Sequence, residues 1–167
     1  MSLTFEEAVN QVCAPGGLFE IIEAEIRGIP TKVFAGTPPN MRFLYQMAAQ
    51  RQDEFVIYED ERWTMPEILE LSGQIGSALD KKFGIQKGDR VAIAMRNYPE
   101  WIAAFSAITS IGAVAVPLNA WWEPDELGFA LNDSGSKLVF ADQERIQKIL
   151  EANVDVTSLH GVSVRSP

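Results

Sequence analysis

Arg96 stands where a short apolar run, Arg90-Val91-Ala92-Ile93-Ala94-Met95, gives way to Asn97-Tyr98-Pro99-Glu100. A cation at the carboxyl end of a strand occupies the place where open α/β sheets bind ligands. The ordinary alternative, an ion pair or a polar turn residue, needs no ligand. Asn97 reads as the cap of the next helix, with Glu100 three residues on to reach back, so Asn97→Ala is expected to cost ~1 kcal/mol of stability. His160 is the only histidine and has no Ser, Cys or acidic partner in motif spacing, which makes it a solvated loop residue. Glu59-Asp60-Glu61 is an acidic hairpin turn rather than a metal site. Trp121 and Trp122 have the character of aromatics packed over helix ends, and Arg145 and Lys148 that of cations on a solvated helix face. No G-x-x-x-x-G-K-[ST] phosphate loop is present, and the Arg96-Asn97-Tyr98-Pro99 turn lacks the glycines of a dinucleotide site.

The elements that must position these residues alternate. The run from Gly88 to Asn119 is strand, buried helix, strand: Trp101, Phe105, Ile108 and Gly112 recur at spacings of four, three and four, and Ala113 to Val116 is a second apolar run closed by Pro117. Two apolar strands joined by such a helix form a right-handed βαβ unit. Upstream, Thr4 and Glu7 have capping-box spacing before a short helix to Val12, and Cys13 to Gly17 breaks it. Phe19 to Arg27 and Thr31 to Ala35 flank Gly28-Ile29-Pro30 as a hairpin, and a helix runs from Met41 to about Arg51. Phe55 to Tyr58 and Arg62 to Thr64 make a second hairpin. Thr64 to Glu67 caps a helix whose Ile68, Leu71, Ile75, Leu79 and Phe83 form one stripe, ended by Gly84. Downstream, a helix begins near Pro124 and ends at Asp133-Ser134-Gly135. Lys137 to Ala141 is a third parallel strand, and Asp142 caps a helix carrying Ile146, Ile149 and Leu150. A further strand begins at Gly161. This order specifies an α/β fold, a parallel sheet flanked by helices with β-hairpins near the N-terminus.

GDRVAIAMRNYPEW followed by IGAVAVPLN resembles the adenylate-forming superfamily of acyl-CoA synthetases, luciferase-like enzymes and adenylation domains. YEDERWTMPEILELSGQIGSALDKKFG before it and PDELGFALNDSGSKLVFAD after it extend the resemblance from about Phe55 to Asp142. It implies the N-terminal subdomain of the acyl-CoA synthetase/luciferase-like fold, with its sheet incomplete in this chain. Residues 1–54 are then a hairpin-and-helix preface and 55–167 the α/β portion, together one compact unit. The implied activity is that of an AMP-forming acid–thiol ligase, most like a bacterial fatty-acyl-CoA ligase, using ATP, Mg2+ and CoA. In that family the loop after PLN lies near the pantetheine path, which points to Asn119, Ala120 and Trp121, with Arg145 and Lys148 the nearest cations for the nucleotide end of CoA. The family's Gly/Ser/Thr-rich phosphate loop, later acidic motifs and C-terminal lysine are not matched here. Catalytic residues are therefore expected in a further C-terminal portion of the ligase, and this chain alone is expected to be inactive and to bind none of these cofactors tightly.

Composition agrees with a folded domain: 47% of the 167 residues are hydrophobic. Acidic residues outnumber basic ones 23 to 14, which disfavours nucleic acid. Cys13 is the single cysteine, ruling out an internal disulfide and fitting a reducing cytoplasm. No apolar stretch approaches the roughly 20 residues of a membrane span, and the N-terminus lacks the features of an export signal. The competing expectation is a stand-alone ligase-like module acting in binding or assembly, self-associating through an open sheet edge.

Overall fold

The computed structural model describes residues 3–155 and 157–166. The chain forms two compact units, Met1–Asn40 and Met41–Pro167. In the first unit, helix α1 (Phe5–Val12) starts with the expected capping box: the Glu7 N–H donates to Thr4 Oγ1 at 3.2 Å, and the Thr4 N–H to Glu7 Oε2 at 2.8 Å. Strands β1 (Ile21–Ile26) and β2 (Ile29–Phe34) pair antiparallel, and Phe19 meets Phe34 edge to face at 6.0 Å. The turn is not Gly28-Ile29-Pro30. It is Arg27-Gly28, both at positive φ (53° and 81°), while Ile29 and Pro30 lie in β2 opposite Ile26 and Glu25. A two-residue turn with both centres left-handed matches the twist of the strands it joins, and Pro30 is tolerated because a two-stranded sheet has only edges.

The second unit begins with α2 (Met41–Ala48), which ends a turn earlier than expected, although Arg51 N–H still reaches Ala48 O. The sequence reading groups this helix with the preface; a hydrogen bond between the Tyr45 and Thr109 hydroxyls at 2.9 Å ties it to the second unit. Strands β3 (Glu54–Tyr58) and β4 (Glu61–Thr64) form a hairpin about Glu59-Asp60, so Glu61 belongs to a strand, paired with Tyr58. Helix α3 (Met65–Lys81) carries the Thr64–Glu67 capping box, and Gly84 at φ 64° ends it while the Ile85 N–H reaches back to Leu79 O at 2.9 Å.

Four parallel strands, β5 (Arg90–Ala94), β6 (Val114–Pro117), β7 (Leu138–Asp142) and β8 (His160–Val164), follow in the spatial order β6-β5-β7-β8. Side chains alternate across this sheet. Val91 and Ile93 of β5, with Met95 just beyond it, join Leu138 and Phe140 of β7 in a core with α3 and with α4 (Pro99–Ser110). Ala92, Ala94, Val139 and Ala141 face α5 (Pro124–Ser134) and α6 (Gln143–Glu151) on the other side. Both faces are therefore apolar, which is why β5 and β7 read as continuous hydrophobic runs. At the β6 edge the Val114 and Leu118 N–H groups point to β5, leaving Ala115 and Pro117 turned outward. Pro117 has no N–H, so little of this edge can pair further.

Two expectations are corrected here, the cap of α4 and the place of His160. The cap of α4 is Tyr98, without a side-chain bond; Asn97 is one residue too early. Because Asn97 caps nothing, Asn97→Ala is now expected to shift stability by less than about 0.5 kcal/mol. A loss near the full capping value in urea unfolding would restore the cap assignment. Of the apolar residues of α6, Ile149 is buried, Ile146 partly covered and Leu150 exposed. His160 opens β8, with its ring 5.5 Å from that of Phe83, and is not in a loop.

Candidate functional site

Helix α4, which follows β5, packs on one face of the sheet, and α6, which follows β7, on the other. The adjacent strands β5 and β7 therefore send their chains to opposite sides, and a crevice opens between their carboxyl ends. A cleft of about 1050 Å³ lies there, bounded by the ends of β5, β6 and β7, the loop 118–121, the first turns of α4 and α6, and Arg165.

Asp142 holds the floor. Its Oδ2 accepts the Arg96 N–H at 3.0 Å, bridging β5 and β7, and its Oδ1 accepts the Arg145 N–H at 3.1 Å as the expected cap of α6. The Arg145 side chain then folds back over its own cap. Nη1 lies 3.2 Å from both Asp142 oxygens and 3.0 Å from Glu144 Oε2, while Nε donates to Ala120 O at 2.8 Å and Nη2 to the same oxygen. Arg145 is 1% exposed, so the solvated helix face expected for it is wrong. Guanidinium is the cation best suited to burial, because its fork satisfies a carboxylate and a carbonyl at once and its hydration is weak. Lys148 is also largely covered. Its Nζ donates to Trp122 O and Glu123 Oε1, both at 3.1 Å, on the far side of the loop from the cleft.

The loop is thus fixed from below at two carbonyls, Ala120 and Trp122, and internally by the Trp121 N–H to Asn119 Oδ1 at 3.0 Å. Trp122 packs into the core against α5 and α6, as an aromatic over helix ends should. Trp121 does the opposite: it is 68% exposed, and the Arg96 guanidinium lies 4.2 Å from its ring centroid. Of the five residues proposed from sequence, Asn119, Ala120, Trp121 and Arg145 come together around the cleft and Lys148 does not line it.

The opposite wall is a cluster that sequence reasoning missed. Arg165, at φ 51°, donates from Nε to both Glu100 oxygens at 2.9 Å and from Nη2 to Glu61 Oε2 at 2.9 Å. Its guanidinium lies 5.0 Å from the Tyr58 ring and 5.2 Å from the Tyr98 ring, which meet edge to face. The hydrogen bond from Arg165 holds the Glu61 carboxyl below the usual carboxylate range, and burial, reinforced by Glu59, pushes the Tyr58 phenol up. Glu100 is therefore an ion-pair partner and not the capping residue its position suggests. The partners of Arg165 lie 65 and 104 residues away, and no local pattern announces them.

Among the described residues no group of three His, Cys, Asp or Glu is placed to hold a metal ion, and no helix is long and apolar enough to cross a membrane. The cleft offers guanidinium, carboxamide and carbonyl groups together with the carboxylates of Asp142 and Glu144, both engaged by Arg145, an arrangement that suits binding and positioning of a polar ligand.

Comparison with known proteins adds the lineage. A stretch of 105 residues is 35% identical to the 2-succinylbenzoate–CoA ligase of Bacillus velezensis, covering 60% of this chain and 22% of that protein. A long-chain-fatty-acid–CoA ligase of Mycobacterium tuberculosis is 41% identical over 80 residues, 48% of this chain and 16% of its own length. The chain thus spans less than a quarter of either relative. The crystal structure of the N-terminal domain of FACL13 from Mycobacterium tuberculosis superimposes with a TM-score of 0.64 at 31% identity, covering 75% of this chain and 34% of that one. The family model described as AMP-binding enzyme matches residues 43–166, every strand of the parallel sheet and every helix around it. On that match, which takes in all but three residues of the second unit, the chain belongs to the AMP-binding enzyme family.

Proposed function

We propose that this chain is the N-terminal part of an adenylate-forming CoA ligase. In the whole enzyme a carboxylate oxygen attacks the α-phosphorus of ATP and pyrophosphate leaves. The CoA sulfur, having given up its proton, then attacks the acyl carbon and AMP leaves. ATP, Mg2+ and CoA are cofactors of that whole enzyme, and its substrate is a carboxylic acid, with fatty acids the first candidates. The observation that carries this reading is the family match over the whole parallel sheet, supported by relatives whose names are those of CoA ligases.

Within the enzyme, the cleft at the carboxyl ends of β5, β6 and β7 forms part of the CoA path. Asn119, Ala120 and Trp121 line it. Arg145 and Lys148 hold their loop in place through the carbonyls of Ala120 and Trp122. These residues position a ligand and carry out no bond-making, so the chain by itself does not adenylate an acid.

The test is isotope exchange between pyrophosphate and ATP, with octanoate and palmitate as acids. It is measured on the 167-residue chain and on the product of its gene as made in the cell. The expected result is no exchange by the chain and acid-dependent exchange by a longer gene product. Exchange by the chain alone would overturn its catalytic incompleteness, and no exchange by a longer gene product would overturn the ligase reading for these acids.

A further inference from the structure

Three arginines border the cleft, and their charges are balanced very differently. Arg145 is buried against Asp142 and Glu144. Arg165 is held between Glu100 and Glu61. Arg96 is exposed and has no carboxylate partner among the described residues; its side chain rests on the Trp121 ring alone. The nearby acids are in contact with other cations instead, Asp142 with Arg145, and Glu144 with Arg145 and Lys148.

Stacking on an aromatic face fixes the plane of a guanidinium while leaving its in-plane N–H groups free to donate. That is the presentation needed for a two-point bond to a phosphate. The surrounding side chains point the same way. Asn97, Gln143 and Gln147 line the cleft, and their carboxamides make no hydrogen bond to another described residue. A guanidinium without a carboxylate contact, beside uncharged carboxamides at the switch point of a parallel sheet, is placed to receive an anion.

We propose that Arg96 is the anion-binding residue of this cleft, receiving a phosphate group on its free edge while Trp121 orients it. The sequence reading gave that part to Arg145 and Lys148, whose donors are instead engaged by Asp142, Glu144, Glu123 and loop carbonyls. The proposal deepens the CoA-path reading, and it rests on that reading only for the identity of the physiological ligand.

The experiment titrates the 15N-labelled chain with inorganic phosphate, pyrophosphate and adenosine 3′,5′-bisphosphate, following the Trp121 indole N–H and the Arg96 Nε–H by NMR. A saturable shift centred on these two groups is expected. In Arg96→Gln the affinity should fall by about tenfold or more, the loss of a charge-assisted bond. Arg96→Lys, which keeps the charge but not the fork, should fall in between. Arg42→Gln, a charge removed from α2, should bind as the unaltered chain does. Equal affinity in Arg96→Gln with unchanged melting, a shift centred on Lys148, or no saturable shift with any probe would overturn the proposal. Binding of the bisphosphate but not of the inorganic ions assigns the site to a nucleotide phosphate. Binding of the inorganic ions with no competition by CoA would leave Arg96 as the anion site and remove the CoA-path reading instead.

Discussion

Replacing Arg145 by methionine is expected to lower the free energy of unfolding by about 3–5 kcal/mol, read in a urea titration, because it leaves the Asp142 carboxylate charged, covered and without its counter-ion. Asp142 is 4% exposed and Arg145 1%. Both groups are almost wholly covered although they border the cleft, so solvent compensates little for a lost partner. The same substitution removes both donors from Ala120 O, so the loop 119–122 should exchange its amide protons faster than the sheet does. Adding Asp142→Asn tests the cause. Asparagine retains the cap of α6 but carries no charge, and the double variant should recover part of the loss. If it is no more stable than Arg145→Met alone, uncompensated charge is not the reason, and lost packing of the guanidinium stem would be.

Ile93→Ala is expected to cost about 2–5 kcal/mol in the same measurement, whereas Ile57→Ala should stay within about 0.5 kcal/mol. Both residues sit in strands and look equally apolar in the sequence. Ile93 is fully buried in the central strand, opposite Pro117 on one side and Phe140 on the other, while Ile57 is 63% exposed. A strand hydrogen-bonded on both edges cannot move inward to fill the space a side chain leaves. The alanines at 104 and 107 of α4, in the same core, have no longer side chains with which to fill it. A loss for Ile93→Ala as small as that for Ile57→Ala would mean that the core above β5 collapses freely. The two strand ends that carry Arg96 and Asp142 would then be less rigid than their hydrogen bond at 3.0 Å implies.

What could be read directly from the sequence was everything whose partners lie a few residues apart. The boxes at Thr4 and Thr64, the cap at Asp142 and the left-handed end at Gly84 each close within one turn of helix. The apolar runs of β5 and β7 announced a sheet covered on both faces, and with the helices between them they gave the α/β fold, while the family came from the resemblance of the motifs between Phe55 and Asp142. Asn97 was misplaced by a single residue because Asn97-Tyr98-Pro99-Glu100 satisfies the local rule, while Glu100 is drawn away by Arg165, 65 residues later. Tertiary structure alone decided which cations are free. A solvated arginine and a buried one have the same local sequence signature. The difference lies in Ala120, which is 25 residues from Arg145 and is brought beneath it by the crossing from β6 to β7. Charge balance is a property of neighbours in space, so the sequence named Arg96, Asn119, Ala120, Trp121 and Arg145 but not the Arg165 wall, and only the fold could show that Arg96, not Arg145, lacks a carboxylate contact.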